Sequence, residues 1–141
     1  MDTRFSSAIH MLILIYEADG RMTSEQIASS VGTNASYIRK ISGPLKREGI
    51  IACSQGMRGF SLLVEPEELS LYRIYEAFSA GTQVHFFDQH RNTNCSCCVG
   101  RQIGPVLDTL FNEIEESAMR ELKRRTLFDC IEKIRFDKRM N

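Results

Sequence analysis

A mainly α fold with one small β-hairpin is what this sequence predicts, and three observations predict it. Apolar residues recur at helical spacing in six separate stretches, each bounded by capping, proline or glycine signals. The period changes only once, between Ile50 and Val64, where two short extended runs flank a glycine-bounded turn. The last third is dominated by one long amphipathic stretch. With 141 residues, 43% hydrophobic and 26% charged, the chain suffices for one folded unit with a helical appendage. That composition belongs to a globular protein rather than a disordered or fibrous one.

From Arg4 to Ala18, Phe5, Ile9, Leu12, Ile13 and Tyr16 share one helical face, and Asp19-Gly20 ends the helix. Thr23-Ser24-Glu25-Gln26 reads as a capping box opening a short second helix, with Ile27, Ala28 and Val31 inward and Gly32 as its stop. Thr33 and Asn34 cap a third helix that carries Tyr37, Ile38, Ile41 and Leu45 and ends at Gly49. A proline in a helix forfeits a hydrogen bond and costs ~3 kcal/mol or more, which predicts a kink or a fresh turn at Pro44. The reading portion is then Asn34 to Ser42. Two helices joined by a tight glycine turn, the second rich in Arg and Lys, match a helix-turn-helix. Ile50 to Ser54 and Phe60 to Val64 make the hairpin, and its position after three helices is that of a wing. Pro66-Glu67-Glu68 opens a fourth helix, whose Leu69, Leu71, Ile74, Tyr75 and Phe78 face inward up to Gly81.

Thr82 to Gly100 lacks periodicity and reads as a long polar loop containing Cys95, Cys97 and Cys98. Pro105 fits the first turn of a long helix with Ile103, Val106, Leu107, Leu110, Phe111, Ile114, Ala118 and Leu122 on one side. Five acids, Asp108, Glu113, Glu115, Glu116 and Glu121, and five bases cover the rest. Because this stripe follows a complete winged unit, it is expected to form the seam of a homodimer. Thr126 with Asp129 starts a last helix with Leu127, Phe128, Ile131 and Ile134 apolar. The expected division is 1–81 for a winged helix-turn-helix unit that reads DNA, 82–101 for a cysteine-containing loop with a sensing role, and 102–141 for dimerisation helices.

Eighteen basic and 18 acidic side chains cancel, which argues against indiscriminate coating of nucleic acid. The local distribution points the other way: no acid lies between Gln26 and Arg47, while Arg39, Lys40, Lys46 and Arg47 supply four positive charges. No apolar run approaches the ~20 residues of a membrane helix, and Asp2 disfavours an export signal, so a cytoplasmic location without membrane partners is expected. Five cysteines, an odd count, then read as thiols or metal ligands rather than a disulfide framework.

The fragments Arg4-Phe5 with Ala8 to Leu12, Thr23 to Ala28, Thr33-Asn34 with Tyr37 to Ile41, Leu45 to Ile51, Gly56 to Phe60, Leu69 to Ile74, Cys98 to Gly100 and Thr126 to Asp129 follow one another in a familiar order. In that order and spacing the chain resembles the Rrf2 (BadM-type) winged-helix transcription regulators nearly end to end, and within them the YwnA-like subgroup. The resemblance implies a homodimer, commonly a repressor, on a pseudo-palindromic double-stranded DNA operator, joined through the long helix. It implies DNA contacts at Arg4, Ser24, Thr33, Asn34, Ser36, Tyr37, Arg39 and Lys40, and at the wing arginine Arg58. Iron–sulfur members of the family carry a Glu-Gln pair where this chain has Arg39-Lys40, so their operator does not carry over.

Those members hold their cluster through three spaced cysteines in the loop before the dimer helix. Here Cys95, Cys97 and Cys98 are crowded into four positions, which argues against such a cluster. A thiol redox switch beside Arg91 or Arg101, zinc or copper(I) held with His85 or His90, and inert thiols stand as alternatives. Cys53 and Cys130 read as small buried hydrophobes. A Cys–His pair also admits a nucleophile, but no phosphate loop, nucleophile elbow or zinc-hydrolase motif accompanies it, and no enzyme is expected. The competing non-enzymatic reading is a winged-helix dimer that acts as a protein-interaction or thiol- and metal-binding module without operator specificity.

Overall fold

The computed structural model describes residues 2–19, 22–53, 59–79, 81 and 84–140. Its elements run α1 (Arg4–Ala18), α2 (Ser24–Val31), α3 (Ala35–Arg47), β1 (Ile51–Cys53), β2 (Phe60–Leu62), α4 (Leu71–Ser79), α5 (Cys98–Arg124) and α6 (Leu127–Met140). The two strands pair antiparallel, with Ile51 opposite Leu62 and Cys53 opposite Phe60.

The helix ends follow local chemistry. Asp19 closes α1 in the left-handed region at φ 51°, which a short Asp side chain tolerates. At α2 both halves of the capping box form: the Gln26 amide donates to Thr23 Oγ1 at 3.2 Å, and the Thr23 amide donates to Gln26 Oε1 at 2.9 Å. Gly32 ends α2 at φ 84°, so the turn into α3 needs a residue without a Cβ. Asn34 then caps α3 by accepting from the Tyr37 amide at 2.9 Å.

Helix α3 runs unbroken through Pro44, so no fresh turn begins there. Two local facts make the proline tolerable. Gly43 has no Cβ to meet the proline ring, which removes much of the clash that bars the residue before proline from helix. The acceptor that loses its partner, the Lys40 carbonyl, belongs to an exposed residue that water reaches. The same pairing recurs at Gly104-Pro105 inside α5, which begins at Cys98 rather than at Pro105. Helix α4 begins at Leu71; the segment from Pro66 is a turn instead, with the Glu68 amide bonded to the Glu65 carbonyl. The Ser70 hydroxyl accepts from the Arg73 amide at 3.1 Å and starts the helix there.

One core gathers Met11, Leu12 and Ile15 of α1, Ile27 of α2, Ile38, Ile41 and Leu45 of α3, Phe60 of the hairpin and Ile74 of α4. The buried face of α1 centres on Ala8, Met11, Leu12 and Ile15; Phe5, Ile9, Ile13 and Tyr16 flank it half-buried. The shift arises because α1 is wrapped by α2, α3, α4, β2 and α6 rather than packed on one side. The core also takes Leu127 and Ile131 of α6, from the far end of the chain. There Thr126 bridges Ser70, the Leu127 amide donates to the Leu69 carbonyl at 2.9 Å, and the Leu71 amide donates to the Arg125 carbonyl at 2.9 Å. Thr126 and Asp129 cap α6 reciprocally, at 2.8 and 3.2 Å. Further along, Ile134 is exposed. Cys53 is exposed at the outer end of its three-residue strand and Cys130 is half-buried, so neither is a fully buried hydrophobe.

Candidate nucleic-acid interface and the loop beside it

Helix α3 turns Ile38, Ile41, Ser42 and Leu45 into the core. Helical geometry therefore puts Ser36, Arg39, Lys40, Gly43 and Arg47 on the opposite side. Ser36, Arg39, Lys40, Lys46 and Arg47 are exposed and Gly43 half-exposed. Ser42 hides its hydroxyl by donating to the Arg39 carbonyl at 2.7 Å. At Gly43 the Arg47 guanidinium lies 3.6 Å from where a Cβ would stand, filling the space beside the missing side chain. The result is a basic strip along the outer face of the second helix of a helix-turn-helix, the position from which such helices enter a major groove.

Of the other residues expected near DNA, Ser24 and Thr33 are half-buried and Asn34 is exposed at the turn between α2 and α3. Tyr37 is half-buried against the core. Arg4 sits at the start of α1, held by Asp2 at 2.7 Å and 5.7 Å from the Phe78 ring centroid. The Arg4 guanidinium hydrogen-bonds the Asp2 carboxyl and lowers its pKa to about 2. Arg58 falls in 54–58, outside the described residues, as does most of the wing turn.

The three loop cysteines stand at the N-terminus of α5, all exposed. Cys97 is the capping residue with extended backbone, and Cys98 is the first helical residue, so the loop is shorter than expected. The amides of Gly100 and Val99 hold the Cys97 thiol below its ordinary value. Gly100 itself admits no side chain, because a Cβ would overlap the Asn94 backbone folded against it. Among the described residues no group of three or more His, Cys, Asp or Glu is placed to hold a metal ion.

Glu115, which the sequence assigns to the solvent face, is the buried residue of α5, at 8% exposure. Its carboxylate takes the Phe86 amide at 3.1 Å and lies 3.5 Å from His85 Nδ1. His85 Nε2 meets Asp88 at 2.9 Å. Gln89 donates to the Gly104 carbonyl and to Asp108, and Phe87 packs on Phe111 with centroids 5.1 Å apart. Residues 85–89 are thus strapped along the α5 face that carries Gly104, Asp108, Phe111 and Glu115. Asp108, Phe111 and Glu115 lie at helical spacing, the one signal that could have marked Glu115 as facing the loop. Val99, Val106, Leu110 and Ile114 stay exposed on another face. Of the remaining residues expected at the seam, Leu107, Phe111, Ala118 and Leu122 are half-buried against their own chain.

The Asp88 carboxylate, and then Glu115, raise the His85 pKa above its ordinary 6.5. A raised value means that the attraction is complete below about pH 6 and is lost as the pH climbs through the folded value. Protection of the Phe86 amide from hydrogen exchange, corrected for intrinsic rate, is therefore expected to fall as the pH rises beyond the ordinary 6.5. His85→Gln should flatten that profile. A flat profile in the unaltered chain would show that His85 does not hold the loop.

Three mutually packed helices, a two-stranded hairpin after them and a basic outer face on the third helix define a winged helix-turn-helix protein of the transcription-regulator class. Residues 1–133 match the model of the Rrf2 family, described as an iron-dependent transcriptional regulator, and the chain belongs to that family. It is 34% identical over 131 residues to YwnA of Bacillus subtilis (strain 168), assigned as an HTH-type transcriptional regulator, covering 93% of this chain and 96% of that one. A crystal structure of a protein assigned as DNA-binding shares 32% identity and a TM-score of 0.70, over 91% of this chain and 98% of the other. IscR of T. potens shares the fold at 15% identity, with a TM-score of 0.71 over 95% and 87% of the two chains. The family and these relatives are regulators, not enzymes. Among the described residues no donor set is placed to hold the iron of the family description: Cys97 is an extended cap and Cys98 the first residue of a helix. Among the described residues no helix is long and apolar enough to cross a membrane.

Proposed function

We propose that this Rrf2-family regulator binds a pseudo-palindromic operator as a cytoplasmic homodimer and represses by occupying it. The observation that carries the reading is the exposed basic strip of α3, opposite a face locked into the core by Ile38, Ile41 and Leu45. Residues 1–81, with the start of α6 packed into their core, read DNA; 82–101, the loop together with the first turn of α5, form the sensing segment; and 102–141 supply the dimer contacts. Ser24, Thr33, Asn34, Ser36 and Tyr37 flank Arg39 and Lys40 on or beside the docking surface, with Arg4 and the wing arginine Arg58 at its margins. The exposed apolar residues Val99, Val106, Leu110 and Ile114 support a seam along α5, and two α3 helices related by a two-fold axis would sit about 34 Å apart. For the loop, the exposure of Cys95, Cys97 and Cys98 and the lowered Cys97 thiol support a thiol response, and among the described residues no group of three or more metal-ligating side chains stands beside them.

The test is selection of duplexes from a random library, followed by fluorescence-anisotropy titration of the selected and scrambled DNA at fixed salt. A palindromic consensus bound at least ~10³-fold more tightly than scrambled DNA is expected. Equal binding to both would overturn the operator reading in favour of a protein-interaction module. Mild peroxide that reversibly weakens binding in the unaltered chain, but not in Cys97→Ser, would support the thiol response; identical behaviour would remove it.

A further inference from the structure

The acid-free stretch from Gln26 to Arg47 begins immediately after one carboxylate, Glu25, in the first turn of α2. Glu25 is exposed, and its Oε1 lies 3.6 Å from Arg39 Nη1 across the turn between the two helices. Among the described residues, Arg39 is the one α3 cation with a carboxylate partner; Lys46 instead sits 5.8 Å from the Phe60 ring centroid. Glu25 also lines, with Thr23, Ser24, Cys53, Gly59 and Phe60, a groove between the start of α2 and the wing. A carboxylate there lies beside the surface offered to a polyanion.

We infer that Glu25 is a positioning residue for sequence discrimination, acting through Arg39; this rests on the reading of α3 as the DNA-facing helix. Two effects of the carboxylate combine. An exposed ion pair of this kind adds little to stability, but an arginine loses considerable rotamer freedom when it docks. An opposite charge on α2, 3.6 Å from Nη1, biases that freedom before contact and leaves the Nε and Nη2 hydrogens for the acceptors of a base edge. Glu25 also offsets one positive charge. Phosphate attraction common to every sequence is thereby reduced, while a base contact made by the oriented guanidinium is kept. The first favours the right sequence over all others; the second lowers every affinity by a common factor.

The test is a four-protein cycle of the unaltered chain, Glu25→Gln, Arg39→Ala and the double variant. Each is titrated by anisotropy against the duplex selected by the unaltered chain and against scrambled DNA, over a salt series. Thr23 and Gln26 keep the capping box in all four, so equal thermal midpoints are expected. Glu25→Gln should tighten scrambled binding several-fold, steepen its salt slope by about one, and cut the ratio of selected to scrambled affinity by about tenfold. In the Arg39→Ala background the same change should leave that ratio unaltered. If Glu25→Gln shifts both affinities by one factor, or lowers the ratio equally without Arg39, the positioning role is overturned while operator binding stands. No preference in the unaltered chain would overturn both.

Discussion

Replacing Leu127 by alanine is expected to cost about 2–5 kcal/mol and lower the thermal midpoint by roughly 6–20 °C. Leu127 is 0% exposed and lies in the same core as the buried residues of α1 and α3. Its backbone is tied to Leu69, and its neighbour Thr126 bridges Ser70. A cavity at that point cannot collapse easily, because the flanking backbone is hydrogen-bonded to the segment leading into α4. Lys133→Ala on the same helix, at an exposed position, should change stability by less than about 0.5 kcal/mol. Thermal or urea unfolding checks the pair. Equal effects would mean that α6 does not contribute to the folding of the N-terminal unit.

Arg39→Ala should weaken binding to the selected duplex by about 1–3 kcal/mol, which is roughly 5- to 150-fold, and relax the preference at one base position per half-site. Lys40→Ala should instead weaken every sequence alike and make the salt slope shallower by about one. Arg39 and Lys40 are adjacent and both exposed on α3, so the contrast isolates what the side chains touch rather than where they stand. Binding profiles over all single-base variants of the duplex make the comparison. If the two substitutions act identically at every position, Arg39 does not read a base.

Much of this architecture is local and was therefore legible. The bounds of α1, the capping box of α2 and the Asn34 cap of α3 depend on residues within four positions of one another, and all stand as the sequence reads. What was not legible depends on partners distant in sequence. Glu115 looks like any solvent-facing acid of an amphipathic helix until residues 85–88 are laid against it, 27 to 30 positions away. The start of α4 is set by pairing with residues 125–127, which holds Leu69 and Ser70 out of the helix. The prolines misled for a different reason: their cost depends on the residue before them, and glycine at 43 and 104 lowers it. On the outer face of α3, the cations were visible as a charge run, but the pairing of Arg39 with Glu25 needed the placement of two helices.

The return of α6 into the N-terminal core makes α5 a lever with a fixed fulcrum. Twenty-seven residues of helix span about 40 Å, and the end at Arg125 to Leu127 is anchored beside α4. The other end carries the three cysteines. A tilt of about 5° at the anchored end swings the cysteine end by roughly 3.5 Å over that length. By the same ratio, a displacement of the thiol end large enough to strain the loop strapped on α5 would reach the segment entering α4 as a small rotation. The three cysteines thus stand at the end of α5 far from the anchor, and the helix-turn-helix unit at the end beside it.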